Sequence, residues 1–463
     1  MRTGPLLILP FAVACAGDPA GPAADPPIID AASVAPNEHN VLSAVVFARV
    51  RSADSVAVRY RLDAASGDSS TAAVRVTRDS ASIPVLGLMP ASRYVLRVVA
   101  YGAGGTSTGG FLSFTTDTLP TDLPRYTTSG SDPSPGYVAF AAGPYGLVID
   151  NTGRVVWYRR MPNGAGLNFI AQSSGHFFLR PPTSNPFDIE PWLELDVLGR
   201  ITRTLTCARG LQPRLHDLIV ERNDSYWLMC DETRTMDLSE VGGVAGARVT
   251  GTAIQHIGAD GELLFHWSPF DHFAITDVQL SERTGPNVNW THGNAIDFDR
   301  DGSLLVSFRN LGEITKIDVA TGAVRWRLGG RANQFAFENT ATPAFVGQHS
   351  ARALATGTLV LLDNIGNPIE SRVERYAIDE RARTARLVHS YGAAPSALTL
   401  IGGSVQALDN ERTLVSFGTA GRVEEYDAAG RVVWRITGNA GYVFRAQRIP
   451  SLYAPSLTTV ANR

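Results

Sequence analysis

The stretch Leu147-Val-Ile-Asp-Asn-Thr-Gly-Arg-Val-Val-Trp157 contains the pattern that organises this chain. Two short apolar runs flank a polar turn with an aspartate and a glycine, which predicts a tight β-hairpin. The pattern returns five more times, and four of the six copies end in tryptophan. The other copies lie around Asp196, Asp260, Asp318, Asp379 and Asp427, and the Asp379 copy is degenerate. Six copies spaced about 58 residues apart predict a six-bladed β-propeller.

A second repeated segment carries histidine at the same position in three successive copies. His216, His292 and His349 each precede a strand-like run, a turn and a very apolar strand, whereas the fourth copy has Ser404 there. In a propeller the innermost strands line the axis, so equivalent residues near their ends converge. We therefore predict that the three histidines form one central site. The other histidines are interpreted as structural residues, with His272 as the next candidate for the channel.

Three imidazoles and an arginine are compatible with more than one chemistry. The histidines could bind zinc with an open fourth position, as in metal-dependent hydrolases. Alternatively, one histidine is a nucleophile and the others are acids, bases or hydrogen-bond donors. Arg309 ends the return strand of the His292 repeat and is expected at the same rim. A fixed cation there opposes a divalent metal and favours an anionic substrate. A surface-binding propeller without chemistry is the third alternative.

Composition excludes some partners. The 463 residues include 41 Lys and Arg against 44 Asp and Glu, giving a formal charge of -3, and no long basic stretch occurs. A nucleic-acid partner is therefore not expected. The chain is too long for one ordinary core, and its 44 glycines and 27 prolines favour turn-rich β structure. We predict an all-β protein with more than one domain.

The N-terminus predicts export. A short basic start, the apolar run from Leu6 to Ala14 and then Cys15 are typical of a lipoprotein-type signal peptide over residues 1–15. Lipidation of Cys15 would anchor the protein to a membrane surface in the periplasm or at the cell surface. An ordinary signal peptide with an incidental cysteine is the alternative. The remaining cysteines, Cys207 and Cys230, either form a disulfide or leave a buried free thiol at Cys230.

Four further segments follow the predicted signal peptide. Residues 16–27 are predicted to be a flexible tether. Alternating runs over residues 28–117, with a segment that is similar to a tyrosine corner, predict a fibronectin type III-like β-sandwich. Residues 118–125 form the linker, and residues 126–463 form the predicted propeller.

Several strings resemble those of the bacterial arylsulfotransferases. They are Trp290-Thr-His-Gly-Asn-Ala-Ile296, Leu304-Leu-Val-Ser-Phe-Arg309, Trp326-Arg-Leu-Gly-Gly330, Gly347-Gln-His349, Leu361-Leu-Asp-Asn364, Ser371-Arg372 and Gly403-Ser-Val-Gln406. The resemblance covers most of residues 125–463 in order. It differs from the best-studied branch of the family in two ways: no cysteine lies shortly before His349, and the front domain looks fibronectin-like.

The resemblance implies a reaction and roles for individual residues. Family members are exported six-bladed propellers that transfer a sulfuryl group from an aryl sulfate to a phenol through a sulfohistidine. They use no metal and no nucleotide sulfate donor, so no cofactor is expected. His349 corresponds to the nucleophile, while His292, Arg309 and His216 correspond to groups around the sulfate and phenolic oxygens. Asn294 is implied to hydrogen-bond within the site and to help bind substrate.

Overall fold

The computed structural model describes residues 24–182, 190–366 and 368–455. The described residues form two compact units, one of residues 24–34, 46–83 and 94–114, the other of residues 35–45, 84–93 and those described from 115 to 455. Two short segments of the predicted sandwich region, 35–45 and 84–93, thus group with the second unit. The predicted signal peptide, Cys15 and residues 16–23 of the predicted tether lie outside the described residues.

Regular structure is almost entirely β, which confirms the predicted all-β class. The helices of the described residues are single 3-10 turns at Ser239–Val241, Pro269–Asp271, Ile275–Asp277, Leu280–Glu282, Asp409–Glu411 and Gly418–Ala420. Over the described ranges, none of them is long and apolar enough to cross a bilayer.

The first nine strands form two sheets. One has the order β1-β2-β6, and the other has the order β4-β3-β7-β8, with β5 paired to β3 and β9 paired to β7. Alternate residues of the long strands, such as Val46, Val58 and Val98, are fully buried. The strands are β1 (Ile28–Pro36), β2 (Ser43–Arg51), β3 (Ser55–Leu62), β4 (Ser69–Ser70), β5 (Val74–Arg75), β6 (Ser80–Leu86), β7 (Arg93–Gly102), β8 (Gly105–Thr108) and β9 (Leu112–Thr115).

The other 27 strands of the described residues form six further sheets, each with four or five strands. They are β10 (Thr128–Gly130), β11 (Tyr137–Ala142), β12 (Tyr145–Ile149), β13 (Val155–Arg160), β14 (Phe169–Ala171), β15 (Phe177–Leu179), β16 (Trp192–Leu195), β17 (Ile201–Leu205), β18 (Gln212–Val220), β19 (Tyr226–Met236), β20 (Ala247–Ile257), β21 (Leu263–Trp267), β22 (Asn287–Asn289), β23 (Gly293–Phe298), β24 (Leu304–Phe308), β25 (Glu313–Ile317), β26 (Val324–Gly329), β27 (Ala336–Glu338), β28 (His349–Ala353), β29 (Thr358–Asp363), β30 (Arg372–Asp379), β31 (Thr384–Gly392), β32 (Ser404–Ala407), β33 (Thr413–Ser416), β34 (Val423–Tyr426), β35 (Val432–Ile436) and β36 (Ala446–Ile449).

The six sheets follow one another along the chain. Three of them, numbered 2, 3 and 4 below, start from their innermost strand, whereas in sheet 5 the outermost strand β27 precedes the innermost strand β28. We number them sheet 1 (β36-β11-β12-β13), sheet 2 (β14-β15-β16-β17), sheet 3 (β18-β19-β20-β21, with β22 on β20), sheet 4 (β23-β24-β25-β26), sheet 5 (β28-β29-β30-β31-β27) and sheet 6 (β32-β33-β34-β35-β10). Sheet 1 takes its first strand from the end of the chain. Sheet 6 takes its outermost strand from the start of the series.

The innermost strands form a closed ring. Strand β18 contacts β23, β23 contacts β28, β28 contacts β32, β32 contacts β36, and β36 contacts β14. The amide of Asn168, just before β14, completes the circle by donating to the carbonyls of Leu215 and His216 on β18. The pairing of Tyr137 on β11 with Ile449 on β36 holds the end of the chain in sheet 1.

The repeated hairpin joins the third and fourth strands of every one of the six sheets. In the first copy the Asp150 carboxylate accepts the backbone N–H groups of Thr152 and Arg154. Gly153 has a φ of +88° and lies against the Tyr126 carbonyl, a position where a Cβ atom would collide. Glycine is therefore required at this turn.

Three of the four tryptophans that end a hairpin bond to the next sheet, and the indole N–H of the fourth, Trp326, has no partner among the described residues. The indole N–H of Trp157 in sheet 1 donates to the Val197 carbonyl in the turn of sheet 2, at 2.7 Å. Trp434 in sheet 6 reaches the Asn151 carbonyl in the turn of sheet 1, at 2.9 Å. The repeat signature thus encodes contacts between sheets as well as hairpins. Apolar residues fill the remaining space between neighbours, as Leu362 and Val415 do between sheets 5 and 6.

Cys207 and Cys230 form a disulfide with Cα atoms 6.2 Å apart. The sequence left open whether Cys230 forms a disulfide or is a buried free thiol, and the structure shows the disulfide. Cys207 follows β17 of sheet 2 and Cys230 lies in β19 of sheet 3, so the bond joins two neighbouring sheets. Both residues are buried.

We expect the disulfide to stabilise the fold, because it closes a loop across a separation of 23 residues and so restricts the unfolded chain. Replacing both cysteines with alanine should lower the free energy of unfolding by about 2–4 kcal/mol. Thermal unfolding followed by circular dichroism, with and without dithiothreitol, measures the effect. The reductant should lower the Tm of the wild type and leave that of the double variant unchanged.

Candidate active site

The three repeat histidines lie together at one end of the innermost strands. His216 is on β18, His292 immediately precedes β23, and His349 begins β28. The ring centroids of His216 and His292 are 5.0 Å apart. The Phe444 ring lies 5.6 Å from that of His216 and 6.1 Å from that of His349. Three neighbouring sheets therefore contribute one histidine each to a single cluster.

A local irregularity accompanies each of these histidines. The register of β18 against β19 shifts between Pro213 and Leu218, around His216. The same happens between Gly293 and Ala295 in sheet 4, and from His349 onward in sheet 5. Strand β32 of sheet 6, which has serine instead of histidine, pairs without a shift. Such bulges redirect side chains next to active sites.

The backbone at these bulges is unusual. His292 has a φ of +47°, and Ser350, directly after His349, has a φ of +56°. Residues other than glycine rarely adopt this left-handed region, and they do so where the surroundings hold them. The backbone N–H of Arg309 donates to the His292 carbonyl at 3.0 Å, which is one such constraint.

Hydrogen bonds define the tautomer of His349. Its Nδ1 lies 2.8 Å from Oδ1 of Asn364 and 3.0 Å from the carbonyl of Gly347. The Asn364 side-chain nitrogen donates to the carbonyls of Thr399 and Gly402, so its oxygen must be the atom that faces the histidine. Both partners of Nδ1 are acceptors, and the ring proton is therefore on Nδ1. The lone pair of neutral His349 is left on Nε2.

His349 is held neutral. Burial lowers its pKa to about 4, and the positive charges of Arg309 and Arg445 add to the effect, while the bonds to Asn364 and Gly347 act in the opposite direction. Near pH 7 the Nε2 atom is consequently unprotonated and able to act as a nucleophile without a separate base.

The other two histidines are also kept neutral. Burial, followed by the charges of Arg214 and Arg309, lowers the pKa of His292 to about 2. Burial and Arg214 likewise hold the pKa of His216 well below its usual value. With the Asn289 amide donating to Nδ1 of His292 at 2.6 Å, the proton of that ring lies on Nε2. Nδ1 of His216 is buried and has no hydrogen-bond partner among the described residues.

Three arginines lie near the cluster, and two of them are paired with carboxylates. Arg309 donates to Oδ1 of Asn310 and to the Leu400 carbonyl, at 3.0 and 3.3 Å, and none of the ion pairs in the described part of the chain involves it. Arg445 pairs with Asp217 at 2.9 Å, and Arg214 pairs with Asp231. A site with an uncompensated guanidinium beside neutral imidazoles is suited to an anion.

Two of these arginines were missed in the sequence. Arg214 lies two residues before His216 in the same repeat, so its position beside a predicted site residue was the available signal. Arg445 follows Phe444 after the last hairpin and belongs to no repeated pattern. Only the closure of the ring places it next to His216, whose carbonyl it contacts at 3.1 Å.

Asn294 contacts the backbone directly before His349. Its side-chain nitrogen donates to the carbonyl of Gln348 at 2.7 Å, which holds the backbone directly before His349. Its Oδ1 atom is buried and has no partner among the described residues. The contact seen in the structure is thus with the chain, and substrate binding by Asn294 stays a prediction.

Three of the remaining histidines have partners outside the cluster. His272 is exposed and stacks on Trp267 with ring centroids 5.0 Å apart. His256 stacks on Trp227 at 4.2 Å, and His176 pairs with Glu194. Over the described ranges, no group of three or more His, Cys, Asp or Glu side chains is arranged to hold a metal ion.

The fold and the site define an all-β protein with a buried cluster of neutral histidines beside arginines, at the ends of its innermost strands. The family model of the arylsulfotransferases (ASST) matches residues 137–439, which include all three histidines and Arg309. The chain belongs to the arylsulfotransferase family. No curated protein matches it significantly.

Comparison with solved structures finds matches of low sequence identity and low TM-score. A protein of unknown function from Bacteroides caccae is 12% identical, with a TM-score of 0.41 over 67% of this chain and 97% of that one. A streptogramin B lyase is 15% identical, with a TM-score of 0.39 over 68% and 84%. Virginiamycin B lyase from Staphylococcus aureus is 14% identical, with a TM-score of 0.36 over 67% and 83%.

The tautomer of His349 can be observed directly. In protein labelled with ¹⁵N-histidine, we expect the His349 resonances of a neutral ring protonated on Nδ1 from pH 8 down to about pH 5. Protonation should appear only as the pH approaches its pKa of about 4. Asn364→Leu removes one acceptor and should shift the ring towards the other tautomer. An ordinary titration near pH 6.5 in the wild type would contradict the assignment.

Proposed function

We propose that the protein transfers a sulfuryl group from an aryl sulfate to a phenol, with His349 as the covalent acceptor. The observation that carries the proposal is the pair of acceptors at Nδ1 of His349, Asn364 and Gly347, from which we infer a proton on Nδ1 and a lone pair on Nε2. Family membership supplies the reaction class. The six sheets are proposed to be the blades of a six-bladed propeller, with this cluster at its axis.

Arg309 is proposed to bind the sulfate of the donor. Its guanidinium has no carboxylate partner in the described part of the chain, and it lies close enough to lower the pKa of both His292 and His349. The Nε2–H of His292 can donate to a second sulfate oxygen. A sulfuryl group in transfer spreads charge over three oxygens, and fixed donors aimed at those oxygens stabilise that charge.

In the first half-reaction, the lone pair on Nε2 of His349 forms a bond to sulfur. The bond between sulfur and the aryl oxygen breaks, and its electron pair leaves on the phenolate. The His349 ring becomes an imidazolium that keeps its Nδ1 proton. Asn364 and Gly347 accept a hydrogen bond from that proton and so stabilise the positive ring.

In the second half-reaction, the oxygen of an incoming phenol attacks sulfur while its proton passes to a neutral histidine. His216 is proposed as this base, because its buried Nδ1 has no partner among the described residues and its pKa keeps it unprotonated. The bond between sulfur and Nε2 breaks, and the electron pair returns to His349. The products are the new aryl sulfate and a proton that His216 releases to solvent. This cycle requires no nucleotide and no metal.

We further propose that the protein is exported and held at a membrane surface through a lipidated Cys15. The apolar run before Cys15 supports export. The disulfide between Cys207 and Cys230 supports an oxidising compartment such as the periplasm or cell surface. The substrates are then small aryl sulfates and phenols outside the cytoplasm.

Replacing the proposed nucleophile tests the covalent step. His349→Asn should abolish transfer from 4-nitrophenyl sulfate to phenol, since no other group in the cluster has a fixed, unprotonated nitrogen in the same position. After brief exposure of the wild type to the donor, mass spectrometry should find one sulfate on the peptide that contains His349. The variant should carry none.

His272→Asn is the matched control, because His272 is a histidine outside the cluster. It should retain both transfer and sulfation. Sulfuryl transfer by the His349→Asn variant would contradict the assignment of His349 as the nucleophile. Release of inorganic sulfate that depends on a metal and is blocked by a chelator would instead support the metal-dependent hydrolase. If the protein shows neither turnover nor sulfation, the remaining hypothesis is a surface-binding propeller without catalytic activity.

Two substitutions separate the charge of Arg309 from its geometry. Arg309→Gln should lower kcat/KM for the donor by about 10²–10³-fold and raise the pKa of His349, because a positive charge that disfavours protonation is removed. Arg309→Lys keeps the charge, so it should leave that pKa low while still reducing kcat/KM. Rates measured from pH 3 to pH 8 distinguish these effects. Arg331→Gln serves as the control, because Arg331 is an exposed arginine.

A further inference from the structure

An exposed apolar loop lies beside the proposed site and takes no part in the reaction described above. It consists of residues 398–402, which connect sheet 5 to sheet 6, and we call it the 398–402 loop. The side chains of Leu400 and Ile401 are 50% and 56% exposed, and Leu398 is also exposed. Adjacent exposed apolar side chains on a soluble domain mark a binding surface more often than isolated ones do.

The backbone of this loop is tied to two residues of the site. The Leu400 carbonyl accepts a hydrogen bond from Nη2 of Arg309 at 3.3 Å. The carbonyls of Thr399 and Gly402 accept from the Asn364 amide at 2.9 and 2.8 Å. The loop is therefore fixed relative to the cation and to the residue that orients His349.

Two aromatic residues, Tyr442 and Phe444, pack against the 398–402 loop at Gly402. A Cβ atom on Gly402 would lie 2.7 Å from the Tyr442 hydroxyl and 2.8 Å from a ring carbon of Phe444, so both rings pack against this glycine. The backbone of Gly403 donates to the Phe444 carbonyl at 3.0 Å. Phe444 in turn lies next to His216 and His349. Phe444 is buried and Tyr442 is exposed, so this pair of rings links the buried histidine cluster to exposed apolar groups near Gly402.

We propose that the 398–402 loop binds the apolar body of the phenol and selects acceptors with a fused or extended aromatic system over phenol itself. The inference deepens the proposed function and rests on it. A molecule held at sulfur by Arg309 and His349 must place its ring within reach of surfaces fixed to those residues, and this loop is one of them. A larger aromatic body removes more of the exposed Leu400 and Ile401 surface from water, which favours its binding.

A competition experiment tests the selectivity. The full chain is given 4-nitrophenyl sulfate as donor with equal concentrations of phenol and 2-naphthol, and the ratio of 2-naphthyl sulfate to phenyl sulfate is measured. Because both products come from the same sulfated enzyme, this ratio does not depend on how much protein is active. We expect the wild type to favour 2-naphthol. The double variant Leu400→Ser and Ile401→Ser should lower the ratio roughly five- to tenfold.

Leu264→Ser is the matched control, because Leu264 is 52% exposed but lies on β21 of sheet 3. It should leave the product ratio unchanged. An unchanged ratio in the double variant, or an equal fall in the control, overturns the proposal.

A binding measurement separates failure of this inference from failure of the proposed function. If the wild type forms neither product, the transferase proposal fails. Calorimetric titration with 2-naphthyl sulfate and phenyl sulfate then tests whether the 398–402 loop binds the larger aromatic body. Tighter binding of 2-naphthyl sulfate to the wild type, lost in the double variant and kept in Leu264→Ser, supports the apolar site. Equal affinity of the two sulfates for the wild type overturns it.

Discussion

The closed ring of innermost strands is the constraint on which the site depends. Sheet 1 receives β36 from the end of the chain, and the pairing of β36 with β11 holds that end beside the start of the series. Because β32 contacts β36 and β36 contacts β14, the six inner strands are all fixed to one another. Closure brings Phe444 and Arg445, which precede β36, next to His216, more than 200 residues away in sequence. The cluster is thus a property of the whole ring and of no single sheet.

Closure also accounts for the electrostatics of the cluster. Burying three imidazoles beside Arg214, Arg309 and Arg445 lowers the pKa of each histidine, so the site meets its substrate with neutral rings in a positive field. A lone histidine on a surface would be partly protonated near pH 7. The same burial strengthens the attraction of an anion to Arg309, since Arg214 and Arg445 are already paired with Asp231 and Asp217. Neutral imidazoles and a site suited to an anion therefore share one physical origin.

The N-terminal strands and the exposed 398–402 loop show where sequence patterns carried less information. Period-2 alternation predicted strands over residues 28–117, and strands are present there, but the alternation did not show that residues 35–45 and 84–93 group with the second unit. Alternation reports which face of a strand is buried and not which neighbour buries it. Similarly, no repeated pattern includes residues 398–401, and only hydrogen bonds from Arg309 and Asn364 place them beside the histidine cluster.

The sequence by itself determined the all-β class, the repeated hairpins and the choice of His216, His292, His349 and Arg309, because a repeat places equivalent residues at equivalent points of equivalent sheets. Asn294 was found by resemblance, and its contact with the backbone before His349 emerged only in the structure. Tertiary structure alone decided the tautomer of His349, since that depends on acceptors at Gly347 and Asn364 and on two further carbonyls that orient the Asn364 amide. It also decided the bulges, the disulfide and the presence of Arg445. These features follow from distances between segments remote in the chain, which no local pattern of residues records.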